Sequence, residues 1–174
     1  MKPEVDTVVQ FSGLKPERYE YDFTLDSTFF DTFQNDEIRE GNVDFKVVLQ
    51  KYERMLLFTF SFNGTVKTIC DRCLGEIAVP VEGEEKLCVK FSDTETTDDD
   101  DVVFLPESAY KIDLAQWMYE YVVVSMPMQR VHPEGECDKE MLKYISDERV
   151  EKEETADQAD NDPRWNALKT LLEK

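Results

Sequence analysis

Three of the four cysteines and the single histidine of this 174-residue chain fall into two groups whose chemistry converges. Cys70 and Cys73 stand in Ile69-Cys70-Asp71-Arg72-Cys73-Leu74, and His132 and Cys137 bound His132-Pro133-Glu134-Gly135-Glu136-Cys137. Thiolate and imidazole are ligands that tetrahedral zinc prefers. A C-x2-C turn lets both sulfurs approach one ion while nearby backbone N–H groups hydrogen-bond them. Four protein ligands leave no coordination position open, so a zinc site built from these residues would be structural. The 58 residues between Cys73 and His132 mean that the fold has to bring the halves together. Metal binding would then tie the later segment to the strands that carry the first pair. Two other readings of the pair are free thiols at a turn and a redox-active dithiol. Redox work calls for a helix N-terminus or positive charge beside the thiol, and only Arg72 answers that. Cys88, between Lys86 and Lys90, reads as incidental.

The elements that must position these residues are legible in the apolar spacing. Residues 18–25 alternate, with Tyr19, Tyr21, Phe23 and Leu25 on one face. Asp26-Ser27 offers a side-chain cap before 28–33, where a short helix competes with strand because of aromatic crowding. Val43, Phe45, Val47 and Leu49 alternate with polar residues, as do Leu56, Phe58, Phe60 and Phe62, which predicts two half-buried antiparallel strands. Asn63-Gly64 then reads as a type I′ hairpin turn, with a third strand at 65–69 that delivers Cys70 at its end. Residues 76–81 and 86–91 resume the strand pattern, and 102–105 add a short one, completing an antiparallel meander. Asp113 caps a predicted helix at 114–125, with Leu114, Trp117, Met118, Tyr121 and Val122 on one face and Pro127 as its stop. The expected fold is α+β: an antiparallel β-sheet, open or barrel-like, with a packed helix and a C-terminal helix after an acidic linker. Its expected organisation is one α+β domain at 1–145 (strand-rich 1–105, helical 112–145), an acidic flexible linker at 146–163, and a helix at 164–174. In that last helix Trp165, Leu168, Leu171 and Leu172 share a face.

The formal charge of −19 is unevenly spread. Residues 92–101 hold six acids and no base, and 146–163 hold eight acids and two bases, so these stretches carry −12 of it. The remainder is ordinary for a folded domain. Net negative charge repels a phosphate backbone and disfavours direct RNA binding, whereas basic proteins are the electrostatically natural partners. The run Asp98–Asp101 lacks the alternating ligands and glycine of a calcium loop and reads as a solvated arm. No apolar run approaches the roughly 20 residues that span a bilayer. With no basic, apolar N-terminal leader in view, a cytoplasmic location is expected, where cysteines stay reduced.

Catalytic signatures are sparse. The chain has no G-x-S-x-G, no P-loop and no H-E-x-x-H, and its one histidine is better explained as a metal ligand. Phe58, Phe60 and Phe62 suit a core rather than a base-stacking platform, since no basic stripe runs beside them. The reading is therefore binding, not catalysis, with Arg72 and Trp165 as candidate partner contacts. A thiol redox protein using Cys70 and Cys73, or an acidic mimic of nucleic acid, stands as the alternative.

The order of motifs adds a resemblance. Cys70-Asp71-Arg72-Cys73-Leu74, then Ile112-Asp113-Leu114 opening a helix that ends in Met126-Pro127, then His132 and Cys137, and finally Asp162-Pro163-Arg164-Trp165-Asn166-Ala167-Leu168-Lys169 resemble the YceD family of large ribosomal RNA accumulation proteins. The resemblance runs from about Gly41 onward. It implies a non-enzymatic role in 23S rRNA accumulation and large-subunit assembly in bacteria. The partner would be a basic ribosomal protein, a pre-50S particle or an rRNA-maturation protein. Many relatives carry a cysteine-rich second cluster where this chain has His132 and Cys137.

Overall fold

The structure, a computed structural model, describes residues 6–33, 37–93 and 102–145. Among the described residues the elements run β1 (Val8–Gln10), β2 (Arg18–Leu25), α1 (Ser27–Phe30), β3 (Glu40–Lys51), β4 (Met55–Ile69), β5 (Glu76–Phe91), β6 (Val102–Leu105), β7 (Lys111–Asp113) and α2 (Ala115–Ser125), with a further helical stretch at 139–145. The fold is α+β. Its five-stranded sheet has the order β2-β3-β4-β5-β6 and stays open rather than closing into a barrel. β1 and β7 form a separate antiparallel pair. Internal contacts divide the chain into two units, one holding the strands and α2, the other made of Cys70–Gly75 and the chain from Val131 onward. The expected linker at 146–163, the helix at 164–174 and the run Asp98–Asp101 lie outside the described residues.

Alternation along the strands builds the core of the first unit. Phe45, Val47, Leu49, Leu56, Phe58, Phe60 and Phe62 are all buried, as their spacing requires. Phe45 and Phe62 are cross-strand partners with ring centroids 4.8 Å apart, a contact of the kind that makes side-chain pairs the unit of sheet stability. Tyr121 of α2 meets the Phe60 ring edge-on at 5.1 Å. Most outer positions of β3 and β4 are polar, with Val48, Met55, Leu57 and Ile69 as half-buried exceptions, so one sheet face is packed and the other is largely wetted.

Residues 18–25 form the expected strand, and the 28–33 ambiguity resolves to helix. The carboxylate of Asp26 accepts from the N–H groups of Thr28 and Phe29 and so caps α1. α2 starts one residue later than its pattern suggests. The N-cap is Leu114, which makes no side-chain cap bond, and the expected cap Asp113 sits one residue earlier, its Oδ1 accepting from Ala115 N–H at 3.0 Å and from Thr7 Oγ1 at 2.6 Å. One buried aromatic lies off the predicted face: Tyr119 stacks on Phe33 at 4.1 Å and 8°. The β1–β7 pairing, which anchors the start of α2, has strands of three residues each, too short for periodicity to register.

The Asn63-Gly64 hairpin is not formed. β4 runs unbroken through both residues, with Asp44 and Val43 on one side and Glu82 and Val81 on the other. The glycine is there for space. A Cβ at position 64 would collide with the Asn42 carbonyl oxygen and the Cα of Val43. The actual β3–β4 turn is at 52–54, closed by Tyr52 N–H to the Met55 carbonyl at 2.9 Å. Residues 76–81 and 86–91 likewise merge into one strand, with Pro80 paired to Thr65 and Gly83 leaving room for the Phe62 ring. Pro80 is tolerated because β6 pairs only with 88–91, so its missing N–H costs no ladder bond there. β6 joins β5 in parallel, so the last step of the expected meander is a crossover.

Candidate metal centre

Long antiparallel pairing of β4 with β5 ends at Ile69 and Glu76, and the six residues between them must reverse the chain. They do so in a tight knuckle. Cys70 N–H donates to the Gly75 carbonyl at 2.8 Å, and Leu74 N–H donates to the Cys70 carbonyl at 3.0 Å. Leu74, inside the ring that the Cys70–Gly75 bond closes, is in the left-handed region at φ 58°. Both cysteine side chains turn inward and are buried.

The other half comes from 132–138. A turn closes with Glu136 N–H on the Pro133 carbonyl at 3.1 Å, with Gly135 at φ 89° supplying the backbone freedom. Cys137 follows it. Asp138 then starts a helical stretch at 139–145, its Oδ1 accepting from Glu140 N–H at 2.8 Å and its carbonyl accepting from Leu142 N–H at 3.1 Å. Cys137 is therefore held between a turn and a capped helix start.

These pieces bring Cys70, Cys73, His132 and Cys137 together, each offering one ligand atom, all within 4.8 Å of one another. Cys73 Sγ lies 3.4 Å from His132 Nδ1, Cys137 Sγ lies 3.9 Å from the same nitrogen, and Cys70 Sγ lies 4.0 Å from Cys137 Sγ. A tetrahedron with zinc–sulfur bonds of about 2.3 Å and zinc–nitrogen bonds of about 2.0 Å has edges of roughly 3.5 to 3.8 Å. Three of the separations, 3.4, 3.9 and 4.0 Å, are close to those edges, and the cluster as a whole, spread within 4.8 Å, is somewhat wider than a closed tetrahedron. All four cysteines of the chain are free, with Cys88 half-buried on β5 and outside the cluster.

Electrostatics at the sulfurs suit thiolates. Burial pushes the Cys70 thiol up, but hydrogen bonds from the backbone of Cys73, Arg72 and His132, with the Cys73 side chain adding to them, bring it down to about 6. Cys73 is lowered by backbone hydrogen bonds from Asp138 and Gly75, against burial and the neighbouring Cys70. Cys137 is raised by burial, then by its hydrogen bonds with the Cys73 and Cys70 side chains, and last by their charge. Two sulfurs in an N–H cradle and a third whose ionisation is opposed by the first two describe a site that a divalent cation would complete, since the ion relieves the repulsion. The cradle was not readable from the sequence. Asp138 and Gly75 act through their backbones, and only the glycine two residues after the second cysteine hints at the turn.

Arg72, a sequence candidate for partner contact, is half-buried within the knuckle, and its N–H serves Cys70. Trp165 lies outside the described residues. Among the described residues no helix is long and apolar enough to cross a membrane.

Fold and site together define an α+β sheet protein in which the β4–β5 connection and residues 132–137 bring three cysteines and a histidine together as a group that could hold a metal ion. The family described as Large ribosomal RNA subunit accumulation protein YceD matches residues 58–172, and the chain belongs to that family. The match starts within β4, later than the resemblance read from Gly41. No curated protein and no solved structure matches the chain in the corresponding comparisons.

Proposed function

We propose that this protein is a non-enzymatic, cytoplasmic factor of bacterial large-subunit biogenesis that supports 23S rRNA accumulation by binding a basic protein component of the assembling particle. Its family carries the general role. The choice of a basic protein, over a pre-50S particle as a whole or a maturation enzyme, rests on the formal charge of −19. Arg72 and Trp165 are the proposed contacts. Cys70, Cys73, His132 and Cys137 hold a structural zinc in this reading, which locks the knuckle to 132–137.

The observation that carries the structural, rather than redox, use of the thiols is the cradle. Five backbone N–H groups address Cys70 and Cys73, and both are buried, whereas a catalytic dithiol must expose an attacking sulfur. Affinity capture of the tagged chain at low and moderate salt tests the function. Recovery of basic large-subunit proteins that falls as salt rises supports it, and recovery of none at low salt refutes it.

A further inference from the structure

Leu74 is, among the described residues, the one residue other than glycine with a positive φ, and its side chain is 67% exposed. Each fact alone is unremarkable in a turn, but together they are hard to explain by folding. The bond from Cys70 N–H to the Gly75 carbonyl closes a ring that runs through the Leu74 backbone, and within it position 74 is left-handed, a conformation that glycine supplies without steric cost and an L-residue does not. An exposed leucine recovers little of that cost, because it removes little apolar area from water. Strain held at a rigid, exposed point is the kind of outlier from which function is reasonably inferred.

The surroundings say what would receive it. Leu74 projects from a six-residue knuckle pinned at both ends by backbone hydrogen bonds and from below by buried Cys70 and Cys73, so its position is preorganised. The described part of its unit holds five carboxylates, among them Asp71, Glu134, Glu136 and Asp138, against Arg72, Lys139 and Lys143. An apolar knob on an acidic unit is complementary to an apolar pocket on a basic protein. We infer that Leu74 is a docking residue that inserts into such a pocket on a basic protein of the large subunit. This inference rests on the function proposed above and names the contact that serves it.

The test uses the full-length chain as wild type, Leu74→Gly and Leu74→Asn, immobilised against the total protein fraction extracted from large ribosomal subunits. Metal content and thermal unfolding are read on the same samples. Glycine and asparagine both tolerate the left-handed backbone, so both variants should keep the wild-type metal content and melt no lower than wild type. Capture of the basic protein should fall at least tenfold in each. Equal capture by wild type and variants overturns the docking role while leaving the assembly reading intact. Lower melting of both variants also overturns it, by showing that the leucine is packed by another part of its own chain. Absence of capture by the wild type itself refutes the assembly reading, and the docking role falls with it.

Discussion

His132 Nδ1 lies 3.4 Å from Cys73 Sγ, although 58 residues separate them in the chain. The approach depends on two independent local structures, a knuckle that turns Cys73 inward and a glycine-containing turn that sets His132 five residues before Cys137. Neither half holds enough ligands by itself to close a tetrahedral site, so metal affinity should report on the pairing of the two halves.

Loss of any one ligand should therefore be severe. His132→Ala and Cys73→Ser are expected to weaken zinc binding by at least about 100-fold, more than is typical for changes to groups that only orient a ligand. Competition with a chromophoric chelator measures this directly. Cobalt substitution of the wild type should give thiolate charge-transfer bands that diminish in Cys73→Ser. Cys88→Ser should change neither readout, because Cys88 stands apart from the cluster.

Gly64→Ala separates the turn reading from the structure. In a hairpin turn, alanine would strain a positive φ. In β4, alanine instead drives a methyl group into the β3 backbone at Asn42 and Val43. Overpacking of this kind should cost about 1–3 kcal/mol in chemical denaturation. Gly13→Ala, with nothing near its would-be Cβ, should stay within about 0.5 kcal/mol of wild type.

Asp113 joins two elements by one oxygen, accepting from Thr7 Oγ1 and from the first N–H of α2. Asp113→Ala should cost about 1 kcal/mol through the lost bond to the start of α2 alone. Asp113→Asn keeps an acceptor and should cost less. Urea unfolding of both variants, with an unchanged m-value, checks the ordering.

Tyr121 gives a pH dependence of definite sign. Burial, with Glu85 and Glu120 adding to it, pushes its phenol up to about 12. The folded state thus holds the proton more tightly than the unfolded state, whose tyrosine titrates near 10. The resulting stability is fully present below pH about 10 and is lost as pH rises toward 12. The phenol is about half exposed, so after solvent screening the effect is on the order of 1 kcal/mol. Tyr121→Phe should flatten the stability profile over that window, as followed by unfolding at a series of alkaline pH values.

Where apolar periodicity was long, the sequence was sufficient. The alternation of Val43 to Leu49 and of Leu56 to Phe62 predicted both strands and the faces they bury, and residue chemistry singled out the four side chains that the fold brings close together. Local turn chemistry misled where a glycine answered a tertiary demand. Gly64 and Gly83 make room for a neighbouring strand and for the Phe62 ring, and nothing adjacent in sequence announces either. The true turn at Tyr52-Glu53-Arg54 contains no glycine, proline or asparagine, so it gave no warning. Proximity of His132 to Cys73 was equally silent, because it is a product of the fold. The left-handed Leu74 was invisible because it belongs to the closure of the whole knuckle between Cys70 and Gly75, not to the residue type at position 74.

The most direct test of the central claim is the intact mass of the purified full-length chain under native conditions, with and without prior chelation. One zinc ion per chain is expected, removed by chelator, restored by stoichiometric zinc, and absent from Cys70→Ser. A wild-type chain that keeps four reduced thiols and takes up no zinc at micromolar concentration would contradict it.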